Sequence, residues 1–222
     1  MAATVIRKMR ARKFACAQAL CHAVPVTGLR ERKKQATRVA LREAALRLAL
    51  ERGPENVRID DIADAAGVSP RTYNNYFSSR EQAIVAAVAA EREQGIAAAV
   101  TARPTEVALA DAVVDAVVDQ YCAPRPDALL LITTSPALRT AYVDAATVLE
   151  EPLAAAIVER TGAAQLDAQV LAAAVGAAVG VALREWLPAV SASGLAVPRG
   201  SLPDLLRSAL APLRPALDAA SR

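Results

Sequence analysis

The stretch from residue 59 to 77, IDDIADAAGVSPRTYNNYF, constrains this chain more than any other part of it. Ile59, Ile62, Ala63 and Ala66 recur at helical spacing and stop at Gly67. Ser69-Pro70 then starts a second helix, because a serine oxygen caps free N–H groups and proline at the first helical position sacrifices no hydrogen bond. Two short helices about a four-residue turn pivoting on glycine form a helix-turn-helix. Within it Ala63 has to be small where the helices cross, and Gly67 takes the positive φ of a tight turn. Val68, Tyr73 and Phe77 cover the small core, which leaves Arg71, Thr72, Asn74, Asn75 and Tyr76 on the outward surface. Asparagine matches the donor and acceptor of an adenine edge, threonine meets a base methyl or a phosphate, and a tyrosine hydroxyl reaches a phosphate oxygen. The competing reading, a turn-rich patch with no partner, leaves the cap, the pivot, the core spacing and the flanking charge without a common cause.

Charge agrees with this placement. Residues 1–80 hold 16 Lys and Arg against 7 Asp and Glu, and residues 81–222 hold 10 against 16, so the net charge of +3 conceals a basic third on an acidic remainder. By charge alone this reads equally as a solvated basic surface or as a site for a polyanion; with the helix-turn-helix, double-stranded DNA is the partner expected, at the N-terminal part only.

Apolar residues make up 54% of the chain, mostly Ala, Leu and Val, with 3% aromatics and no alternating pattern, so the fold class expected is all-α. Helix 1 runs from Gln35 to the Gly53-Pro54 stop, burying Leu41, Ala45, Leu48 and Ala49. Helix 3 ends near Phe77, and Ser78 and Ser79, with Glu81 and Gln82 beyond them, offer overlapping capping boxes for a helix over 79–100. Five further helices are predicted at 105–122, 126–133, 136–161, 166–189 and 202–219. Three domains follow: a basic, disordered extension over 1–27, the helix-turn-helix domain over 28–78, and a helical ligand-binding and dimerisation domain over 79–222. The extension reads either as a mobile arm adding phosphate contacts or as a segment upstream of a start near Met9 or Val26.

Cys16, Cys21 and Cys122 are an odd set without a disulfide framework, which fits a reducing cytoplasm, and with His22 they supply too few ligands for zinc. The longest apolar run, Val170 to Leu183, is too short for a bilayer and reads as a buried helix, so no membrane partner is expected. A single histidine, with no nucleophile elbow and no phosphate-cradling glycine loop, argues against an enzyme, and no metal or cofactor is expected. The acidic pairs Asp60-Asp61 and Glu150-Glu151 read as solvated helix faces.

TRVALREAALRLALERG (37–53) and VRIDDIADAAGVSPRTYNNYFSSREQAI (57–84) resemble the DNA-binding region of the TetR (tetracycline-repressor) family, over about residues 30–85. The resemblance implies that Thr37, Arg58, Thr72, Tyr76 and Arg80 anchor phosphates, while Arg71, Asn74 and Asn75 face base edges. Two positions depart from the pattern: Ala49 stands where phenylalanine is usual, and Arg58 where a capping Ser or Thr is common. The first implies a thinner core, and the second puts the helix 2 cap in doubt.

The resemblance further implies a small-molecule site and a homodimer seam in the C-terminal helices. Gly176 and Gly180 give helix 166–189 a small-residue face for close approach, and Leu202, Leu205, Leu206, Leu210, Leu213 and Leu217 line the last helix; the two helices read either as a four-helix dimer seam or as intramolecular core, which has the same composition. Candidate ligand contacts are Tyr121, Cys122, Tyr142 and Trp186, with Arg139 added if the ligand is anionic; many alanines and few aromatics favour a hydrophobic ligand. The function expected is a ligand-responsive repressor that binds a pseudo-palindromic operator as a homodimer. The alternative is a ligand-blind DNA-binding or architectural dimer with a solid C-terminal bundle.

Overall fold

The computed structural model describes residues 26–123, 135–146, 151–187 and 200–220, and among them every regular element is helical. The predicted helix over 126–133 and the residues Cys16, Cys21 and His22 lie outside the described residues. The chain divides into two compact units, Met1–Arg38 and Val39–Arg222.

In the first unit the structure describes the opening of helix α1 (Val26–Arg52). It begins upstream of the predicted Gln35 and runs through Gly28. A single glycine costs a helix only about 1 kcal/mol. Arg32 Nε donates to the Gly28 carbonyl at 3.1 Å, and Lys34 pairs with Glu31 one turn back at 3.7 Å.

In the second unit Leu41, Ala45, Leu48 and Ala49 of α1 are buried, as their spacing predicts. A short 3₁₀ turn (Pro54–Asn56) leads to α2 (Ile59–Ala65) and α3 (Pro70–Tyr73). The α-helical part of α3 is shorter than predicted, and the chain continues to Phe77 in tight turns, with Asn75 N bonding Thr72 O at 3.1 Å and Tyr76 N bonding Tyr73 O at 2.8 Å. Helix α4 (Arg80–Ala102) is the hub of the remainder and packs on α5 (Leu109–Cys122), α6 (Pro136–Ala146) and α7 (Glu151–Thr161). Helix α8 (Gln165–Trp186) packs on α6, α7 and α9 (Leu202–Leu210), and α5 also meets α9 and α10 (Arg214–Ala219).

Three further predicted helices differ in extent. The helix predicted from 105 begins at Leu109, because the carbonyls of Arg103, Pro104 and Val107 between the two helices accept from the Arg160 guanidinium, which also reaches Val100 O at the end of α4. The helix predicted over 136–161 is described as α6 and α7, with 147–150 outside the described residues. The last helix is divided by a 3₁₀ turn (Ala211–Leu213), since Pro212 and Pro215 lack the N–H that an unbroken helix uses.

Helix α8 is long and apolar enough to cross a membrane. Here it lies in the bundle with Ala168, Ala172, Val175, Val179 and Leu183 buried against its neighbours, the mark of a core helix.

Candidate nucleic-acid interface and effector site

The turn between α2 and α3 is built as its sequence predicts. Gly67 has φ of +69°, and Val68 N reaches back to Ala63 O at 3.0 Å, closing the turn over a fully buried Ala63. Ser69 caps α3, its Oγ accepting from Thr72 N at 3.2 Å and lying 2.9 Å from Thr72 Oγ1. Tyr73 and Phe77 are buried with ring centroids 5.9 Å apart, and Val68 is half-buried against the core.

A stitch that sequence reasoning missed orients the face. Tyr73 Oη donates to the Ser79 carbonyl at 2.7 Å, tying α3 to the first turn of α4. Burial, with the Glu81 charge second, pushes the Tyr73 phenol up to about 12, so it stays a donor across the physiological range. Helix α4 opens on a divided cap: Ser79 Oγ accepts from Gln82 N at 3.1 Å, and Gln82 Oε1 accepts from Ser78 N at 2.7 Å. The Ser-x-x-Gln spacing was the signal for the cap; nothing in the spacing announced the tyrosine.

On this scaffold Arg71, Asn74 and Asn75 are exposed, and Thr72 and Tyr76 are half-buried, Tyr76 with its ring against the core. Arg58 is exposed at the N-terminus of α2, where its backbone N–H donates to Asp61 Oδ2 at 3.0 Å. Only the Asp61 half of a capping box is made there, because the Arg58 side chain has no acceptor for the free N–H groups of the first turn. Arg80 is the most engaged of the expected phosphate anchors: Nη1 donates to the carbonyls of Glu55 and Val57 at 3.0 Å each, and Nε to Glu81 at 2.8 Å. It clamps the loop before α2 to α4. Burial raises the Glu81 carboxyl, but hydrogen bonds from Arg80 and from its own backbone N–H, with the Arg80 charge, outweigh this and hold it below its ordinary value. Thr37 lies in the first unit, half-buried, with Oγ1 donating to Lys33 O at 3.0 Å.

The expected ligand residues divide sharply. Tyr121 on α5 and Tyr142 on α6 are buried and meet at Arg92 of α4, a residue sequence reasoning missed. The Arg92 guanidinium lies 4.3 Å from the Tyr121 ring centre and 5.2 Å from that of Tyr142, donates from Nη1 to Tyr142 Oη at 2.6 Å, and reaches Gln120 O from Nε at 3.3 Å. Its signal was present: Arg92 shares an α4 face with Val85, Val88 and Ile96, and a charge in such an apolar stripe is out of place on a solvated surface. Burial is the main cause raising the Tyr121 phenol, followed by Tyr142, against the opposing charge of Arg92.

Arg139 on α6 is 5% exposed, and among the described residues its Nε and Nη2 have no hydrogen-bond partner. A guanidinium withdrawn from water without an acceptor is unfavourable. Cys122 is exposed, and desolvation, opposed by Arg207 and assisted by Asp119, raises its thiol pKa away from the reactive range. Trp186, at the end of α8, is half-buried against the core. A groove of about 450 Å³ lined by Glu151, Gln169, Val170 and Ala173 touches none of these five residues.

Residues 41–88, from α1 into α4, match the family of bacterial regulatory proteins called the tetR family. The chain thus carries a tetR-family domain in this segment. It is 39% identical over 71 residues to the HTH-type transcriptional regulator TcmR of Streptomyces glaucescens, a match covering 32% of this chain. The chain spans about a third, 31%, of the length of that curated relative. The tetR-family domain thus contains the capped turn and the exposed polar run of α3, while Tyr121, Arg139, Tyr142 and Trp186 lie beyond the family match.

Proposed function

We propose that this chain is a ligand-responsive transcriptional repressor of the cytoplasm, binding a pseudo-palindromic operator as a homodimer and released by a small hydrophobic ligand in its C-terminal helices. The observation that carries the DNA-binding part is the exposed run Arg71, Asn74 and Asn75, flanked by Thr72 and Tyr76, on a turn fixed by Ser69 and Gly67. Arg71, Asn74 and Asn75 read base edges, and Thr37, Arg58, Thr72, Tyr76 and Arg80 hold phosphates. In that role Arg80 acts with its remaining donors, since Nη1 and Nε serve the fold.

Footprinting on genomic fragments tests the reading. Protection is expected to weaken steeply with added salt, because each phosphate contact displaces counterions. Asn74→Ala relaxes preference at one base pair, by about 1–3 kcal/mol, whereas Tyr76→Phe weakens all sequences alike. A chain that protects no DNA at low salt is not a DNA-binding regulator.

The ligand-gated part draws support from the buried polar residues between α4, α5 and α6. A ligand-blind dimer with a solid bundle would have its internal polar groups paired, and the unpaired Arg139 edge weighs against it. Tenfold release requires the ligand to prefer the released shape by about 1.4 kcal/mol.

A further inference from the structure

We propose that Arg139 is the anchor for a carboxylate on the effector, so that the ligand is an organic anion with an apolar body rather than a neutral hydrophobe. This rests on the ligand-gated reading above and narrows its ligand. The side chain is 5% exposed, and the two nitrogens left without an acceptor are Nε and Nη2. Those two form one edge of the guanidinium, from which two parallel N–H bonds take both oxygens of a carboxylate. Among the described residues neither Arg139 nor the second buried cation, Arg92, makes an ion pair. Arg92 spends Nε and Nη1 on neutral acceptors, the Gln120 carbonyl and the Tyr142 hydroxyl. Two positive charges therefore sit on α4 and α6, helices packed on each other, with no anion of the described chain paired to either.

The surroundings select the kind of anion. Leu138, Tyr142 and Val143 are buried beside Arg139 on α6, and Tyr142 follows it by three residues on the same helical face. Such an apolar setting favours a singly charged, planar carboxylate over a doubly charged phosphate, which loses far more hydration on entry. Tyr142, whose hydroxyl is held by Arg92, is the aromatic residue one turn along α6 from the anchor.

Thermal melting of the full chain without DNA tests this, which keeps it separate from the operator reading. The probes are decanoate, 4-phenylbutyrate and indole-3-acetate, each against its primary amide. At millimolar concentration at least one carboxylate is expected to raise the melting temperature by several degrees and its amide by less than one. Arg139→Met abolishes the difference and, free of ligand, melts at or above the original chain, because an unpaired buried cation has been removed. Arg139→Lys keeps the charge without the two-pronged edge and responds in part. The proposal is overturned if ligand-free Arg139→Met and Arg139→Gln both melt well below the original chain or fail to fold, which would mean a structural partner for the guanidinium. It is equally overturned if amides match carboxylates, or if the carboxylate preference survives in Arg139→Met. Failure of the chain to footprint DNA would remove the operator reading and leave these melts to be judged alone.

Discussion

Gly67 is the residue on which the reading face turns. Its φ of +69° lies where a side chain crowds the backbone, yet a Cβ built there meets nothing within 4 Å. Gly67→Ala therefore isolates backbone strain from steric clash, and it is expected to cost about 1–2 kcal/mol of stability in denaturant titrations. A loss near zero would mean the turn relaxes to another conformation. Glu81 supplies a second test at this scale. Its folded-state pKa lies below the ordinary 4.5, so its contribution is fully present above that value and is lost as pH falls through the lower folded-state value. Glu81→Gln should accordingly flatten the acid limb of stability below about pH 4.5, followed by melting from pH 6 to 3. An unchanged acid limb would show that the Arg80 contact adds nothing to the folded state.

At the scale of elements, helix starts show which parts of the fold were legible. Ser69-Pro70 and Ser79 announced α3 and α4 because their capping partners are three residues away in the same segment. Helix α5 could not be read that way. Ala108 at its N-cap has no side-chain oxygen, and the acceptor for Ala110 N is Asp218 Oδ1 of α10, at 3.1 Å and across most of the domain in sequence. Arg214 of α10 bonds Asp111 of α5 beside it. Removing that borrowed cap by Asp218→Ala is expected to cost about 1 kcal/mol, seen as a lower melting temperature, with amide exchange quickening at Ala110. If exchange at Ala110 stays slow, another group holds the α5 terminus. The candidate site divides on the same ground. The polar run on α3 was legible because capped turn, pivot and charge lie within one short stretch. Arg92 was missed because its meaning depends on Tyr121 and Tyr142 arriving from two other helices.

For the whole molecule, the proposed homodimer needs a surface where a second copy would meet the first. The Gly176 and Gly180 face, expected from sequence to form that seam, is buried in the chain's own core, as are Leu202, Leu206, Leu210 and Leu217. A buried helix and an interface helix share one composition, so spacing alone could not separate them. What α8 leaves outside is another stripe: Leu166 is 69% exposed, Val170 60% and Val181 55%, with Ala177 between them at helical spacing. Large side chains in line on a core helix are the surface a dimer would cover. Val181→Glu places a charge in that stripe without touching the core, and it is expected to weaken dimerisation at least tenfold by light scattering. Operator affinity should fall with it, because two reading heads joined in one dimer span two half-sites. Gly180→Leu should instead act on folding, costing about 1–3 kcal/mol through overpacking. An intact dimer in Val181→Glu, with monomer appearing in Gly180→Leu before any loss of stability, would return the seam to the glycine face.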